Sequence, residues 1–166
     1  MSESIATEKL QPCLLDRLTD DDPTRQEESR NQRVVSPQRY LRGVMRDLQW
    51  LFNTSAWHGP EAESEAMWKE FPEARRSVLN FGVHQLCGAT APELEKLRDQ
   101  LGEAIHFFEP RISSRTLSIR VDAERNYLIF EIDGDLWANP LPEHLHLKTT
   151  MDVETGQCLF GDSSNG

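Results

Sequence analysis

The sequence has little that would suit it to nucleic acid, to a membrane or to an oxidising compartment. Eighteen Lys and Arg stand against 28 Asp and Glu, for a formal net charge of −10. Such a chain does not collect phosphate backbones, which need clustered cations, and an anionic bilayer repels it. Apolar runs are short. None approaches the roughly 20 residues that span a bilayer, so direct membrane insertion is not expected. Cysteine is scarce: Cys13, Cys87 and Cys158 are odd in number, far apart and without a CxxC spacing. Reduced thiols in the cytoplasm fit this better than a disulfide framework. The opening "MSESIATEKLQPCLLDRL" lacks a basic stretch followed by an apolar one, so no secretory signal is expected.

Chemical motifs are equally sparse. Neither GxGxxG nor GxxxxGK[ST] occurs, and no G-x-S-x-G elbow is found. No Cys has a recognisable His partner. His144 and His146 stand at i, i+2 on one strand face, but no further ligand is tied to them by spacing, and an exposed polar face explains them as well. His58, His84 and His106 are isolated. No cofactor and no metal is expected. A glycosidase needs only two carboxylates across a cleft. With 28 acids that chemistry is not excluded by composition, yet no pair is singled out. Glu109 follows Phe107 and Phe108, surroundings that suit a general acid, but a cation two residues on favours its ionised form.

What is present is a single α+β pattern. Hydrophobic residues make up 37% of a 166-residue chain, enough for one core and too few residues for two domains. Residues 1–35 are polar and read as an extended, partly disordered arm. One island, "CLLDRL", places Leu14, Leu15 and Leu18 along one side of a helical turn. A lone turn needs a surface, either its own domain or a partner. Residues 36–160 form the predicted domain, and 161–166 a disordered tail. Ser36 and Pro37 open a helix whose apolar stripe runs from Tyr40 to Phe52. Arg39, Arg42 and Arg46 share its polar side, either as a docking ridge for an acidic partner or as a solvated face. A short helix is predicted over Glu61 to Glu70. "SVLNFGV" fits a strand or a buried loop. Thr90 and Glu93 form a capping box before a helix ending near Phe108. Gly102 within it costs about 1 kcal/mol against Ala and hints at close packing.

Three strands follow. "TLSIRVD" alternates, "AERN" turns, and "YLIFEIDGDLWAN" keeps Leu128, Phe130, Ile132 and Leu136 in one phase, which predicts one long strand with a bulge or thin spot at Gly134. "PLP" turns the chain into "HLHLKTTMDV". The expected fold is helices packed on one face of a three-stranded antiparallel meander. No internal repeat is found.

Between helix and sheet stands Glu109-Pro110-Arg111. Proline disfavours helix at the residue before it and has no N–H, so the two charges sit on a stiff joint. A stiff joint loses little entropy on binding. Such a pair suits stitching into a partner's charges; it also suits a plain helix stop with an internal ion pair.

Five blocks in order, "LLDRL", "LRGVMRDLQWLFNT", "FPEARRSVLNFG", "EPR" and "LWANPLPEHLHLKTTMDVETG", resemble the TssE family of type VI secretion baseplate proteins. That family belongs with the small baseplate wedge protein of contractile-tail phages. The resemblance runs from about Leu14 to Gly156. It implies a structural, non-enzymatic role in a six-fold baseplate at the cytoplasmic face of the inner membrane. Wedge subunits and the contractile sheath are the implied partners. It makes Glu109, Pro110 and Arg111 the contact motif and gives the sheath a place to begin; an open edge of the meander suits sheath growth by strand addition, and Leu14, Leu15 and Leu18 of the arm read as a second docking element. Two alternatives stand beside it. One is a peptidoglycan hydrolase, after the family's "lysozyme-like" label. The other is the equivalent subunit of a phage tail or related contractile particle.

Overall fold

A computed structural model describes residues 10, 13–19, 24, 35–57, 61–83, 91–137 and 143–160. Most of the arm, the Thr90 end of the expected capping box, the "PLP" turn, His58, His84, Cys87 and the tail lie outside these residues. The described helices are α1 (Leu14–Leu18), α2 (Pro37–Phe52), α3 (Glu61–Glu70), α4 (Pro72–Arg75) and α5 (Ala91–Phe108). The strands are β1 (Ser118–Glu124), β2 (Tyr127–Leu136), β3 (Glu143–Asp152) and β4 (Cys158–Phe160), antiparallel in that order. The class is α+β, as the sequence predicts.

α2 begins where the cap rule places it. Ser36 Oγ accepts from Arg39 N at 3.2 Å, and Pro37 takes the first turn, where no donor is missed. Tyr40, Val44, Leu48, Leu51 and Phe52 are buried and join Leu97, Leu101 and Ile105 of α5 in one core cluster. The sheet adds Leu128, Phe130, Ile132, Leu136, Leu145 and Leu147 to that cluster, every second residue of β2 and β3. Period-two burial on strands and a 3.6-residue stripe on helices meet in one interior.

Four expectations are corrected. First, the sheet has four strands. β4 is three residues long, too short to show alternation, and side-chain bonds hold it. Asn53, which caps α2, accepts from Cys158 N at 2.9 Å and donates to Cys158 O at 3.2 Å. Thr149 Oγ1 donates to Leu159 O at 2.8 Å. Second, β2 is the one long strand expected, but it runs through Gly134 without a bulge, since Gly134 pairs in register with Leu145. The glycine answers to packing instead: a Cβ there would stand 3.1 Å from Ile112 Cγ2. Third, "SVLNFGV" is not a strand, and only its Gly82–Val83 end is a buried loop. Val78–Asn80 is a 3-10 turn with Val78 and Leu79 exposed, while Phe81 packs edge-on against Phe108 and Val83 is buried. Gly82 follows at φ 125°, a conformation side chains disfavour. Fourth, Gly102 is not a tight spot, since a Cβ there would meet Ile119 Cδ1 at an ordinary 3.8 Å.

Cys13 and Cys158 are free thiols. Burial pushes the Cys158 thiol up to about 12. No described helix is long and apolar enough to cross a membrane.

Candidate protein-docking site

α5 ends at Phe108, but its last bond is made by Glu109, whose N donates to Ile105 O at 2.8 Å. Ile112 N then donates back to Glu109 O at 3.1 Å, which closes a tight turn over the exposed Pro110. The far side of this turn is sewn to the end of β2. Trp137 N donates to Arg111 O at 2.6 Å, Ile112 bridges Leu136, and Ser113 N donates to Asp135 O at 2.9 Å. The joint is therefore fixed at both ends by main-chain bonds.

The side chains do not point outward as a pair. Glu109 retains only 2% exposure. Arg111 Nε donates to Glu109 Oε1 at 2.6 Å and Nη2 donates to Oε2, the two-pronged fork that a guanidinium makes with a carboxylate. Arg111 N also donates to Glu109 Oε1 at 3.3 Å. Of the two readings the sequence leaves open for this pair, the internal ion pair is the one seen, and it turns Glu109 inward. A buried carboxylate needs a partner, and the nearest cation supplies it.

Arg111 is held a second time from α2. Its Nη2 donates to Asp47 Oδ2 at 2.5 Å. Asp47 Oδ1 in turn accepts from Arg46 Nε at 3.0 Å, and Arg46 Nη1 donates to Asp16 Oδ1 on α1 at 2.5 Å. Five charges of alternating sign run from Glu109 to Asp16. Burial lowers the Arg111 pKa, but the hydrogen bond and charge of Glu109, and then of Asp47, more than offset it, and the group is held above its ordinary value. The guanidinium also stands 6.0 Å over the ring of Tyr40, whose hydroxyl donates to Trp137 O at 2.9 Å. Burial raises the Tyr40 pKa, with Arg111 opposing and Glu109 assisting.

Leu14, Leu15 and Leu18 are 70%, 40% and 74% exposed, and no residue of α1 is buried. α1 touches α2 with its polar side. A Cβ on Gly43 would stand 3.2 Å from Asp16 Oδ2 and 3.9 Å from Arg111 Nη1, so the arm and the joint approach α2 over the same glycine. The structure thereby brings the two predicted docking elements to neighbouring positions. Asp47, Asp16 and Gly43 escape sequence reasoning, because nothing in the local pattern joins Asp47 to a residue 64 positions away, and Arg46, read there as part of a docking ridge or a solvated face, is paired with Asp16 and Asp47.

His144 and His146 remain an exposed polar face, and each is answered across the strand pair. His144 Nδ1 lies 3.1 Å from Asp135 and His146 Nδ1 2.6 Å from Asp133. Among the described residues no group of three or more metal-ligating side chains is assembled.

With this geometry in place, the comparison with known families is decisive. Residues 38–141, from the first turn of α2 past the end of β2, match the family described as baseplate wedge protein gp25. The chain belongs to this family. The match contains Glu109, Pro110, Arg111 and Asp47, whereas α1 lies before it. Comparison with curated proteins gives no match. The gp25 family is a structural component of a baseplate, so its members assemble with other baseplate subunits.

Proposed function

We propose that the protein is a non-enzymatic structural adaptor of a type VI secretion baseplate, which locks into the wedge core and starts the contractile sheath. The observation that carries this reading is the Glu109-Pro110-Arg111 joint, which lies within the matched region and is fixed before any partner arrives. A preset joint orders little on binding, so more of the contact energy remains as affinity. The partner meets the Pro110 ring and the outer edge of Arg111, while Glu109 acts from behind as the group that aims the guanidinium. Leu14, Leu15 and Leu18 of the 1–35 arm supply the second contact.

The sheet supports the sheath half of the proposal through its two edges. β4 offers three residues, and Asn53 already occupies both main-chain groups of Cys158. β1 offers seven, with no strand beyond it among the described residues. An open edge is a template for an added strand, and main-chain bonds give such an addition its affinity. We assign β1 as the accepting edge. The resemblance further suggests six copies per baseplate at the cytoplasmic face of the inner membrane. A phage-tail subunit would use the same two surfaces. Glu109 lends the hydrolase reading no support, since both its oxygens are committed to Arg111.

Co-expression of the tagged protein with candidate wedge subunits tests the reading. The adaptor co-purifies with them as one complex, and that complex seeds polymerisation of sheath subunits. A protein that comes away alone, or a complex that leaves the sheath lag phase unchanged, contradicts the corresponding half.

A further inference from the structure

α1 is fastened the opposite way from an ordinary amphipathic helix. Asp16 accepts from Arg46, and Cys13 Sγ accepts from Asp16 N at 3.4 Å and from Arg46 Nη2 at 3.3 Å. The leucines face away from the domain. A five-residue helix has little stability alone, and partly exposed ion pairs add little to it. A surface that spends its polar groups on holding a helix and leaves three leucines in water is prepared for an apolar partner.

The surroundings state what kind of partner. α2 presents Arg42, exposed and one residue from Gly43, and Trp50, 50% exposed with the Arg46 guanidinium stacked 5.2 Å from its ring. α1 itself carries the exposed Arg17. Neither Arg17 nor Arg42 has an ion-pair partner among the described residues. Among the described residues, these two exposed and unpaired charges are thus cations, in a chain whose formal net charge is −10. Unpaired cations beside an apolar patch select an occupant by charge complementarity.

We propose that this face docks an acidic amphipathic helix of a partner protein. The helix would lay its leucine stripe on Leu14, Leu18 and Trp50 and its Asp or Glu flank beside Arg17 and Arg42. The proposal rests on the reading that the leucines of α1 are docking residues. It adds the chemistry of the partner and three residues, Arg17, Arg42 and Trp50, to that site.

The test uses two labelled helical peptides with the same leucine stripe, one flanked by Glu and one by Lys, titrated into the full-length protein. The Glu-flanked peptide is expected to bind at least about tenfold tighter at low salt, with the difference shrinking as salt rises. Leu18→Glu should weaken both peptides about tenfold, and Arg42→Glu should remove the preference between them. Gly43→Ala, whose Cβ would crowd Asp16 Oδ2 at 3.2 Å but meet Arg111 Nη1 at an ordinary 3.9 Å, should weaken binding of both peptides without lowering the melting temperature. Equal binding of the two peptides, or binding of neither, overturns the proposal. The parent reading fails separately. If the Glu-flanked peptide binds but Leu18→Glu still co-purifies with the wedge subunits, the surface exists and its assignment to wedge docking is wrong. If neither peptide binds and Leu18→Glu loses the wedge subunits, the leucines dock and the acidic helix is wrong.

Discussion

Glu109 and Arg111 are two residues apart, and each makes the other's position tenable. A carboxylate at 2% exposure without its guanidinium would be an uncompensated buried charge, and so, in lesser degree, would the guanidinium without its carboxylate. Removing one partner of such a pair costs about 3–5 kcal/mol. Glu109→Ala is therefore expected to destabilise the fold by roughly 3 kcal/mol, toward the lower end because Asp47 still answers Arg111. Urea unfolding measures this, and a change below about 1 kcal/mol would show the pair to be peripheral. The same reasoning makes Arg111→Ala a poor probe of docking, since lost binding and lost folding would look alike. The sequence shows the motif and the stiffness of its proline. It does not show that Glu109 faces inward, because that depends on Asp47 and on the end of β2 closing over the turn.

Among the elements, α2, α5 and the first three strands are legible in the sequence because each is long enough to display its period and bears its own stop signals. Ser36-Pro37 starts α2, and Pro110 ends α5. β4 is not legible in the same way, and α1 is legible as a helical turn but not in what holds it. Three residues carry no alternation, and β4 exists because Asn53 offers an amide where another strand would offer a peptide group. Asn53→Ala leaves Cys158 N without its partner and is expected to cost about 1–3 kcal/mol. Hydrogen exchange reads the consequence, with protection lost at Cys158 to Phe160 and retained in β2. Uniform loss would mean that β4 is integral to the core. α1 depends on a carboxylate. Burial opposes the ionised form of Asp16, but its bonds to Cys13 and Arg46 and the nearby positive charge outweigh this, and its pKa lies below the ordinary 3.8. A depressed carboxylate stabilises above its unfolded value, and the contribution is lost as pH falls through the folded one. The amides of Leu14 to Leu18 should hold their chemical shifts down to about pH 4 and move toward random coil below it. A transition centred above about pH 5 would show that Asp16 does not hold α1.

At the scale of the whole molecule, the Glu109-Pro110-Arg111 joint and β1 are built on one core, and α1 is tied to α2 beside that joint by ion pairs. A chain of alternating charges runs from the arm across α2 to the joint, so the contacts proposed for the wedge lie side by side. This part was beyond reach of the sequence, which holds the arm, α2 and the joint far apart and gives no sign that Gly43 is where they converge. The fold class was readable from periodicity alone, and the family from ordered blocks of residues. The Glu109–Arg111 pair is proposed to serve docking more than stability. The double variant Glu109→Leu/Arg111→Met tests it most directly, because replacing a buried ion pair by apolar groups of similar volume is often neutral for folding. This variant is expected to melt within a few degrees of the parent and to lose co-purification with the wedge subunits. A folded double variant that still co-purifies would contradict it.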